Sequence, residues 1–420
     1  MSTTALNDLS RFPIVQAPMA GGASCPELVG AVCAAGALGF LAGGYKTAGG
    51  LYQEIKQVRG LTARPFGVNL FVPPSGGRTD GPAAVEVYRH QLAGEAAWYG
   101  TPLGDLDDCG TDAYAAKLAI LLDDPVRVVS FTFGCPDAET LASFARAGTY
   151  TIVTVTSVEE ALEAERAGAD AVCVQGVEAG GHQGSYRDDP EDDDNPGTGL
   201  LALVPQIREA VRLPIVATGG IMRGAQIAAV LAAGADAAQL GTAFLGCPES
   251  GAHPLHKRAL TDPLFHRTAF TRAFSGRLAR GLVNRFMREH GPYAPAAYPE
   301  VHYLTAPIRK AAADSGDAQG MALWAGQGHR LARELPAGQL VDVLVAELEA
   351  ARAGLFGCPE GAPGAAEFAG AASATTATSP ASATPATCHT SGSAGSSASD
   401  GSDGSADSSD LPGLAHRSAS

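Results

Sequence analysis

The chain has 420 residues, more than most single domains, but this length suits one α/β barrel with insertions. Hydrophobic residues make up 45% of it and glycines number 52, so the composition is that of a packed, turn-rich α/β protein and excludes a largely disordered chain. The formal net charge of −15 argues against nucleic acid or an anionic membrane surface as a partner, because both attract clustered Lys and Arg.

The cysteines and the first residues bear on the compartment. The eight cysteines include no Cys-x-x-Cys pair, which argues against a zinc site or a secreted disulfide framework. The start of the chain lacks a basic segment followed by an apolar run, and the sequence shows no apolar stretch long enough to cross a bilayer. We therefore expect a cytoplasmic protein with no metal site and no membrane partner.

From Pro13 onward, short β-rich runs alternate with Ala-, Leu- and Glu-rich segments of helical period. The predicted strands are residues 14–17, 38–41, 66–71, 126–131, 150–155, 171–175, 214–217 and 237–240. The predicted helices are residues 26–35, 48–59, 111–122, 137–147, 158–167, 200–211 and 224–233. This alternation is typical of βαβ units and a parallel sheet.

The count of eight strands favours a closed (β/α)₈ TIM barrel over a doubly wound open sheet, which usually has fewer strands. The tetrapeptide Ala-Gly-Ala-Asp occurs at 167–170 and again at 233–236. In both copies Gly ends a predicted helix and Asp precedes a predicted strand, as successive αβ turns require. We therefore expect an α/β barrel whose chemistry lies at the C-terminal ends of its strands.

The predicted domain plan places the barrel between two less regular regions. It consists of an N-terminal extension (1–12), the cofactor-binding barrel (13–260), a helical substrate-side region (261–357) and a low-complexity tail (358–420). Inside the barrel, residues 73–110 form an insertion positioned to cover the mouth, and the acidic loop 185–198 reads as solvated rather than as a calcium loop. The tail should be disordered, because Ala, Ser, Thr, Gly and Pro bury too little apolar surface.

The ends of the last two strands predict a phosphate site. Gly219 and Gly220 follow the seventh strand, and Gln239-Leu240-Gly241-Thr242 ends the eighth. In TIM barrels a phosphate commonly binds there, held by loop amides and a helix N-terminus. The alternative is that these glycines only make tight turns, but their paired position favours a phosphate-bearing cofactor. No Gly-x-Gly-x-x-Gly follows the first strand and no Walker sequence occurs, so a Rossmann NAD site or an NTPase is unsupported.

Two carboxamides, Asn69 and Gln175, end other strands. Facing the barrel mouth, they could bond a heterocycle such as a flavin ring, since an amide both donates and accepts. The alternative is that each amide only caps a neighbouring backbone group. Met19, after the first strand, is a candidate to pack beneath a ring.

His182 is the candidate catalytic residue. A lone loop histidine is more often solvated or capping, but Gly180-Gly181 and Gly184 clear space around this ring. Its imidazole can exchange a proton near neutral pH. The neighbouring Glu178 is expected to be structural, anchoring the loop through backbone N–H groups.

These motifs resemble the nitronate monooxygenases, formerly called 2-nitropropane dioxygenases. The similar segments are 13–22, 67–71, 175–184, 215–221, 239–242 and 324–328, in order along residues 12 to 350. The Glu-Ala-Gly-Gly-His element at 178–182 is the most specific of them. The tail matches nothing.

The resemblance implies FMN in a barrel with a helical substrate-side appendage. Carried over by position, FMN would be bound by Ala17, Pro18, Met19, Asn69, Gln175, Gly180, Gly181, Gly219, Gly220, Gln239, Leu240, Gly241 and Thr242. His182 would be the catalytic histidine, either abstracting the α-proton of a nitroalkane or orienting a preformed nitronate. The implied protein is a monomer or homodimer.

The implied reaction oxidises a nitronate with O₂ to a carbonyl compound and nitrite. Propionate 3-nitronate is the implied substrate, its detoxification the implied role, and NAD(P)H would not be needed. An alternative is an FMN-dependent NAD(P)H:quinone or enoyl-acyl carrier protein reductase, since these share much of the Gly-Gly-His loop. A flavin-binding protein without turnover would require a dispensable His182.

Overall fold

All eight strands predicted from the sequence occur in the computed structural model, which describes residues 6–73, 80–106, 110, 112–193 and 197–356. The strands are β1 (Ile14–Gln16), β2 (Phe40–Ala42), β3 (Gly67–Phe71), β4 (Val128–Thr132), β5 (Tyr150–Val155), β6 (Ala171–Gln175), β7 (Gly181–His182), β8 (Ile215–Thr218), β9 (Ala237–Leu240), β10 (Thr268–Thr271) and β11 (Ala279–Leu282). The expected tail at 358–420 lies outside the described residues.

The helices follow the strands in alternation through residue 245. They are α1 (Pro26–Ala34), α2 (Ala48–Leu61), α3 (Pro82–Gln91), α4 (Ala93–Trp98), α5 (Tyr114–Asp123), α6 (Ala138–Arg146), α7 (Val158–Ala167), α8 (Leu200–Ala210), α9 (Gly224–Ala232), α10 (Thr242–Leu245), α11 (Pro254–Ala259), α12 (Arg285–His290), α13 (Glu300–Asp314) and α14 (Ala337–Phe356). Ser157 caps the start of α7, because its hydroxyl accepts a hydrogen bond from the Glu160 amide.

Eight strands form one parallel sheet in the order β1-β9-β8-β6-β5-β4-β3-β2. A parallel bridge between Val15 and Leu38 joins the two ends of this order and closes the sheet. The predicted TIM barrel is therefore confirmed, and each predicted barrel strand lies within two residues of the observed one.

Apolar side chains fill both faces of the barrel wall, which is why its strands are apolar runs rather than alternating ones. Inside, Val15, Phe40, Ile152 and Cys173 belong to one buried cluster. Leu6 and Leu9 of the N-terminal segment join this cluster, so part of the expected extension packs into the barrel core.

The eighth helix of the barrel comes from the end of the described chain. Leu340, Leu344 and Leu348 of α14 are buried in the outer barrel core, and α14 packs against α9 and α1. The approach is close at Gly224, where a Cβ would lie 2.3 Å from the Leu348 amide nitrogen. The barrel core thus draws on residues beyond the expected boundary at 260.

The insertion after β3 and the region after residue 260 share a second core. Val85 and Tyr88 of α3 pack with Phe286 of α12 and with Leu304 and Ile308 of α13. The Tyr88 hydroxyl donates to the Ala273 carbonyl at 2.8 Å, so a polar contact fixes the same interface.

The region after residue 260 also contains strands, which the sequence analysis did not predict. β10 and β11 are antiparallel, and β11 pairs with β7, so that Ala279 lies opposite His182. Two carboxylates of the acidic loop, Asp188 and Asp193, form ion pairs with buried Arg272 at 2.9 and 2.7 Å. This loop is therefore anchored rather than only solvated.

None of the described helices combines the length and the apolar character that a bilayer-spanning helix requires.

Candidate active site

A cavity of about 340 Å³ opens at the C-terminal ends of the barrel strands. Its wall includes every predicted site residue except Leu240: Ala17, Pro18, Met19, Asn69, Gln175, Gly180, Gly181, His182, Gly219, Gly220, Gln239, Gly241 and Thr242. The Leu240 side chain is instead buried in the outer barrel core. Strand direction alone explains this convergence, because parallel strands in a barrel all end at the same rim.

The ribbon formed by β7 and β11 holds His182. Its Nε2 lies 2.8 Å from the Ser275 hydroxyl oxygen, which is also 3.2 Å from the Arg277 carbonyl oxygen. The rings of Phe133, Tyr298 and Trp324 surround the imidazole, with centroids 5.6 to 5.8 Å away. The imidazole is therefore fixed on one side by a hydroxyl and enclosed by aromatic rings.

These surroundings keep His182 neutral. Burial lowers the pKa of His182 to about 3, the nearby charges of Arg277 and Arg309 act in the same direction, and Asp188 opposes them. A neutral imidazole has one N–H donor and one acceptor nitrogen. The Ser275 hydroxyl has a single proton, so it either donates to the Arg277 carbonyl and accepts from Nε2–H, or donates to Nε2 and leaves Nδ1–H as the imidazole donor.

Gln175 fixes the loop that carries His182. Its Nε2 donates to the His182 carbonyl at 3.1 Å, and its Oε1 accepts from the Gly184 amide at 2.7 Å. The carboxamide thus caps backbone groups, the alternative that the sequence left open, although it also lines the cavity.

Asn69 keeps one polar group available. Its Nδ2 donates to the Ser130 and Thr132 hydroxyls, each at 3.0 Å, and is 3.3 Å from the Ser130 carbonyl. Among the described residues none donates a hydrogen bond to Asn69 Oδ1. This carbonyl oxygen is an acceptor beside the cavity.

A buried pair, Gln16 and Ser24, shapes the loop after β1. The Ser24 hydroxyl accepts from the Gln16 amide and from the Met19 backbone amide, each at 2.9 Å. Gln16 also accepts from the Phe40 amide at 3.1 Å, which ties the loop to β2. Pro18 and Met19 are thereby presented to the cavity.

Backbone rather than side chains forms the wall at the ends of β8 and β9. Gly219 and Gly220 have φ values of +138° and +66°, which favour glycine. Gly241 precedes the short helix α10, whose first N–H groups have no partner within the helix. A Cβ at Gly241 would approach only Ala17 and Met19 at 3.6 and 3.8 Å, both of them cavity residues.

The late motif at 324–328 closes on the Gly-Gly-His loop. The Gly326 amide donates to the Thr242 hydroxyl, and the Gln327 amide donates to the Glu178 carbonyl, each at 2.9 Å. The Glu178 carboxylate accepts from the Leu200 amide at 3.0 Å, which confirms its predicted structural role.

Several cavity residues were missed by the sequence analysis: Tyr45, Phe133, Ser275, His302 and Arg309. Tyr45 and Phe133 have φ values of +64° and +76°, a strained backbone conformation that no sequence pattern predicts for these residue types. His302 and Arg309 are seven residues, or two helical turns, apart on α13. A helix predicted through this segment would therefore have placed both side chains on one face.

Comparison with known proteins gives a consistent result. The sequence model of the family described as nitronate monooxygenase matches residues 3–347. A nitronate monooxygenase of Paraburkholderia phytofirmans is 42% identical over 344 residues, covering 80% of this chain and 92% of that protein. A probable nitronate monooxygenase of Bacillus subtilis is 38% identical over 342 residues, covering 80% of this chain and 95% of the relative.

Two solved structures are similar to this chain over most of its length. A nitroalkane oxidase from Streptomyces ansochromogenes is 70% identical, with a TM-score of 0.81 and coverage of 84% of this chain and 100% of that one. FabK from Thermotoga maritima is 27% identical, with a TM-score of 0.63 and coverage of 83% and 97%. Since the family match and the identities extend over the whole barrel, this chain belongs to the nitronate monooxygenase family of oxidoreductases.

Proposed function

We propose that this chain is an FMN-dependent nitronate monooxygenase that oxidises alkyl nitronates with O₂ to a carbonyl compound and nitrite. The observation that carries the proposal is that His182 and the glycine and amide groups of the strand ends line one cavity. Propionate 3-nitronate is the proposed substrate, and its detoxification the proposed role. We also propose a cytoplasmic enzyme, monomeric or homodimeric.

The cavity wall fits a flavin phosphate ester. At Gly181 a Cβ would meet no atom within 4 Å, and at Gly241 it would meet only the side chains of Ala17 and Met19, so a flat ring system can approach the backbone. Asn69 Oδ1 offers the acceptor that a ring N–H requires. We assign the phosphate to the amides at 219–220 and 241–242, and the ring to the remaining predicted cofactor residues. Leu240 would contribute only through its backbone.

Bound FMN would supply an electron acceptor that O₂ can reoxidise. The chain itself would bind and orient the nitronate. Because burial lowers the pKa of His182 to about 3, the imidazole is a weak base, and we assign it to hydrogen bonding with a preformed nitronate rather than to deprotonating a nitroalkane. The rings of Phe133 and Trp324 would exclude water from that site.

The second candidate is an FMN-dependent NAD(P)H:quinone or enoyl-acyl carrier protein reductase, favoured by the shared Gly180-Gly181-His182 loop. One experiment separates the two. The purified protein is mixed without oxygen with propionate 3-nitronate, and separately with NADH or NADPH, while the flavin spectrum is followed.

The monooxygenase proposal expects a spectral change with the nitronate only, and nitrite release once oxygen is admitted. Rapid bleaching by NADH or NADPH without a response to the nitronate would instead establish the reductase. The cofactor is identified by denaturing the protein and weighing the released flavin by mass spectrometry, where a mass other than that of FMN would contradict the assignment.

A further inference from the structure

Arg309 is a cation on the cavity wall. Its Nε donates to the Thr305 hydroxyl at 3.1 Å, and its Nη2 donates to the His302 carbonyl at 2.7 Å. Among the described residues no carboxylate pairs with the guanidinium, and none accepts from Nη1. One edge of the guanidinium is therefore left to the cavity that it lines.

Three arginines of the same region are more deeply buried than Arg309 and stabilise loops. Arg272 binds Asp188 and Asp193. Arg277 donates to the Gln183 and Ser185 carbonyls, and Arg280 donates twice to the Val177 carbonyl at 2.9 and 3.0 Å. These three fix loops, and none of them lines the cavity.

Among the described residues that line the cavity with Arg309, none is an Asp or a Glu. The Tyr45 ring stacks on His302 with centroids 3.9 Å apart, and the Tyr298 hydroxyl donates to the Tyr45 hydroxyl at 3.2 Å. Burial raises the pKa of Tyr45 to about 12 and lowers that of His302 to about 2, so both are neutral near pH 7. Burial also lowers the pKa of Arg309 to about 10, which leaves it charged.

A charge that is partly removed from water and has no ionic partner is unfavourable, so its presence on a cavity wall points to an anionic ligand. Arg309 lies near enough to His182 for its charge to act on that imidazole. A simple alkyl nitronate has one negative group, whereas a carboxylated nitronate carries a second one at its other end that could reach Arg309.

Resting on the proposed function, we propose that Arg309 binds the carboxylate of a carboxylated alkyl nitronate whose nitronate group faces His182. The contact would be a charge-assisted hydrogen bond from Nη1 to the carboxylate. Arg309 is then the residue that makes the enzyme prefer dianionic nitronates over nitronates with an uncharged chain.

The test compares propionate 3-nitronate with butyl 1-nitronate, which replaces the carboxylate by an uncharged ethyl group. In Arg309→Gln holoenzyme we expect kcat/KM for propionate 3-nitronate to fall about 10- to 100-fold, mainly through KM, because a hydrogen bond to a charged group is lost. The value for butyl 1-nitronate should change less than about 3-fold, the scale of a minor perturbation. Arg309→Lys should recover part of the preference.

Lys310→Gln is the matched control, because it removes a charge from the neighbouring, exposed position of α13, where Lys310 pairs with Asp314. Lys310→Gln should leave kcat/KM unchanged for both nitronates. Equal losses on both nitronates in Arg309→Gln, or no loss on either, would overturn the proposal.

A binding measurement separates this proposal from the proposed function. Succinate has the shape and double charge of propionate 3-nitronate but cannot react, and butyrate lacks one carboxylate. Calorimetric titration of the wild-type holoenzyme should show succinate binding at least about 10-fold tighter than butyrate, with the difference lost in Arg309→Gln. Equal binding of the two acids by the wild type would overturn the role of Arg309, whereas absent nitronate turnover with intact succinate preference would overturn only the proposed function.

Discussion

At the scale of single residues, the chemistry of the cavity depends on how His182 is held. The Ser275 hydroxyl contacts its Nε2, the Gln175 amide contacts its carbonyl, and three aromatic rings surround its side chain. His182 belongs to neither hydrophobic cluster of the barrel wall. The side chain can therefore be changed with its surroundings largely preserved.

Replacing His182 by Asn should lower turnover of nitronates by about 10- to 100-fold, because a hydrogen bond to the charged nitronate group is lost. Bound flavin should remain, because the proposed cofactor contacts come from other residues. Nitrite release and the flavin absorbance of the purified variant are the measurements. His90→Asn, at an exposed position of α3, is the control, and unchanged turnover in His182→Asn would remove this residue from the mechanism.

The sequence identified residues that sit at strand ends and missed those that arrive from elsewhere. Asn69, Gln175 and the glycines after β8 were predictable because strand polarity places them at one rim. Ser275, His302 and Arg309 belong to a segment that folds back over the mouth. Their position depends on packing between distant parts of the chain, which local patterns do not encode.

At the scale of elements, the β7 strand is the link between the barrel and the region over its mouth. Gly180 precedes this strand and packs against the late motif, where a Cβ would lie 2.4 Å from the Ala325 carbonyl carbon and the Gly326 amide nitrogen. Both contacts are with backbone, so neither neighbour can turn aside.

Gly180→Ala should therefore destabilise the protein by about 1–3 kcal/mol and displace the His182 loop. We expect a lower thermal midpoint together with reduced turnover and reduced flavin content. Gly49→Ala is the control, since a Cβ there meets no atom within 4 Å and helix α2 should gain slightly from alanine. A Gly180→Ala protein with wild-type stability and turnover would show that this contact does not position the loop.

Helix α14 is the element whose assignment most affects the domain plan. The Leu344 side chain is fully buried in the outer barrel core, although the sequence placed it in a region outside the barrel. The packing of α14 on the barrel could not be predicted from the sequence, because an apolar helical pattern does not identify the surface that it covers. Its partners, α1 and α9, are far away along the chain.

Leu344→Ala should lower the free energy of unfolding by about 2–5 kcal/mol, as expected for a cavity in a packed core. If α14 is the eighth helix of the barrel, urea denaturation followed by far-UV circular dichroism and by flavin fluorescence should shift together. Exposed Glu349→Ala on the same helix should shift neither signal. A Leu344→Ala protein in which only one signal shifts would show that α14 unfolds apart from the barrel.

At the scale of the whole molecule, the barrel was predictable and the covering region was only partly so. Eight apolar runs at regular spacing predict the barrel sheet. The small sheet of β7, β10 and β11 could not be predicted in the same way, because its strands are short and contain Gly and Arg. The second core joins α3 to α13 across more than two hundred residues. Such long-range packing is decided by shape, not by sequence period.

The enclosure of this region makes the stability of the whole protein sensitive to acid. Burial lowers the pKa of His182 to about 3, of His256 to about 4 and of His302 to about 2. In the unfolded chain a histidine has a pKa of about 6.5, so below that pH the unfolded chain binds protons that the folded chain does not. The free energy of unfolding therefore falls as the pH falls below about 6.5.

Well below pH 6.5 each of the three histidines should contribute a loss of about 1.4 kcal/mol per pH unit. Urea denaturation at about pH 7.5, 6.5 and 5.5 measures the effect, in a range where carboxylates are still ionised. His256→Asn should remove the contribution of one histidine, about 1.4 kcal/mol per pH unit well below pH 6.5, because its ring is buried and bonds the Trp324 carbonyl. His90→Asn should leave the slope unchanged, and a free energy of unfolding that is constant over this range would show that the three imidazoles are accessible to protons in the folded protein.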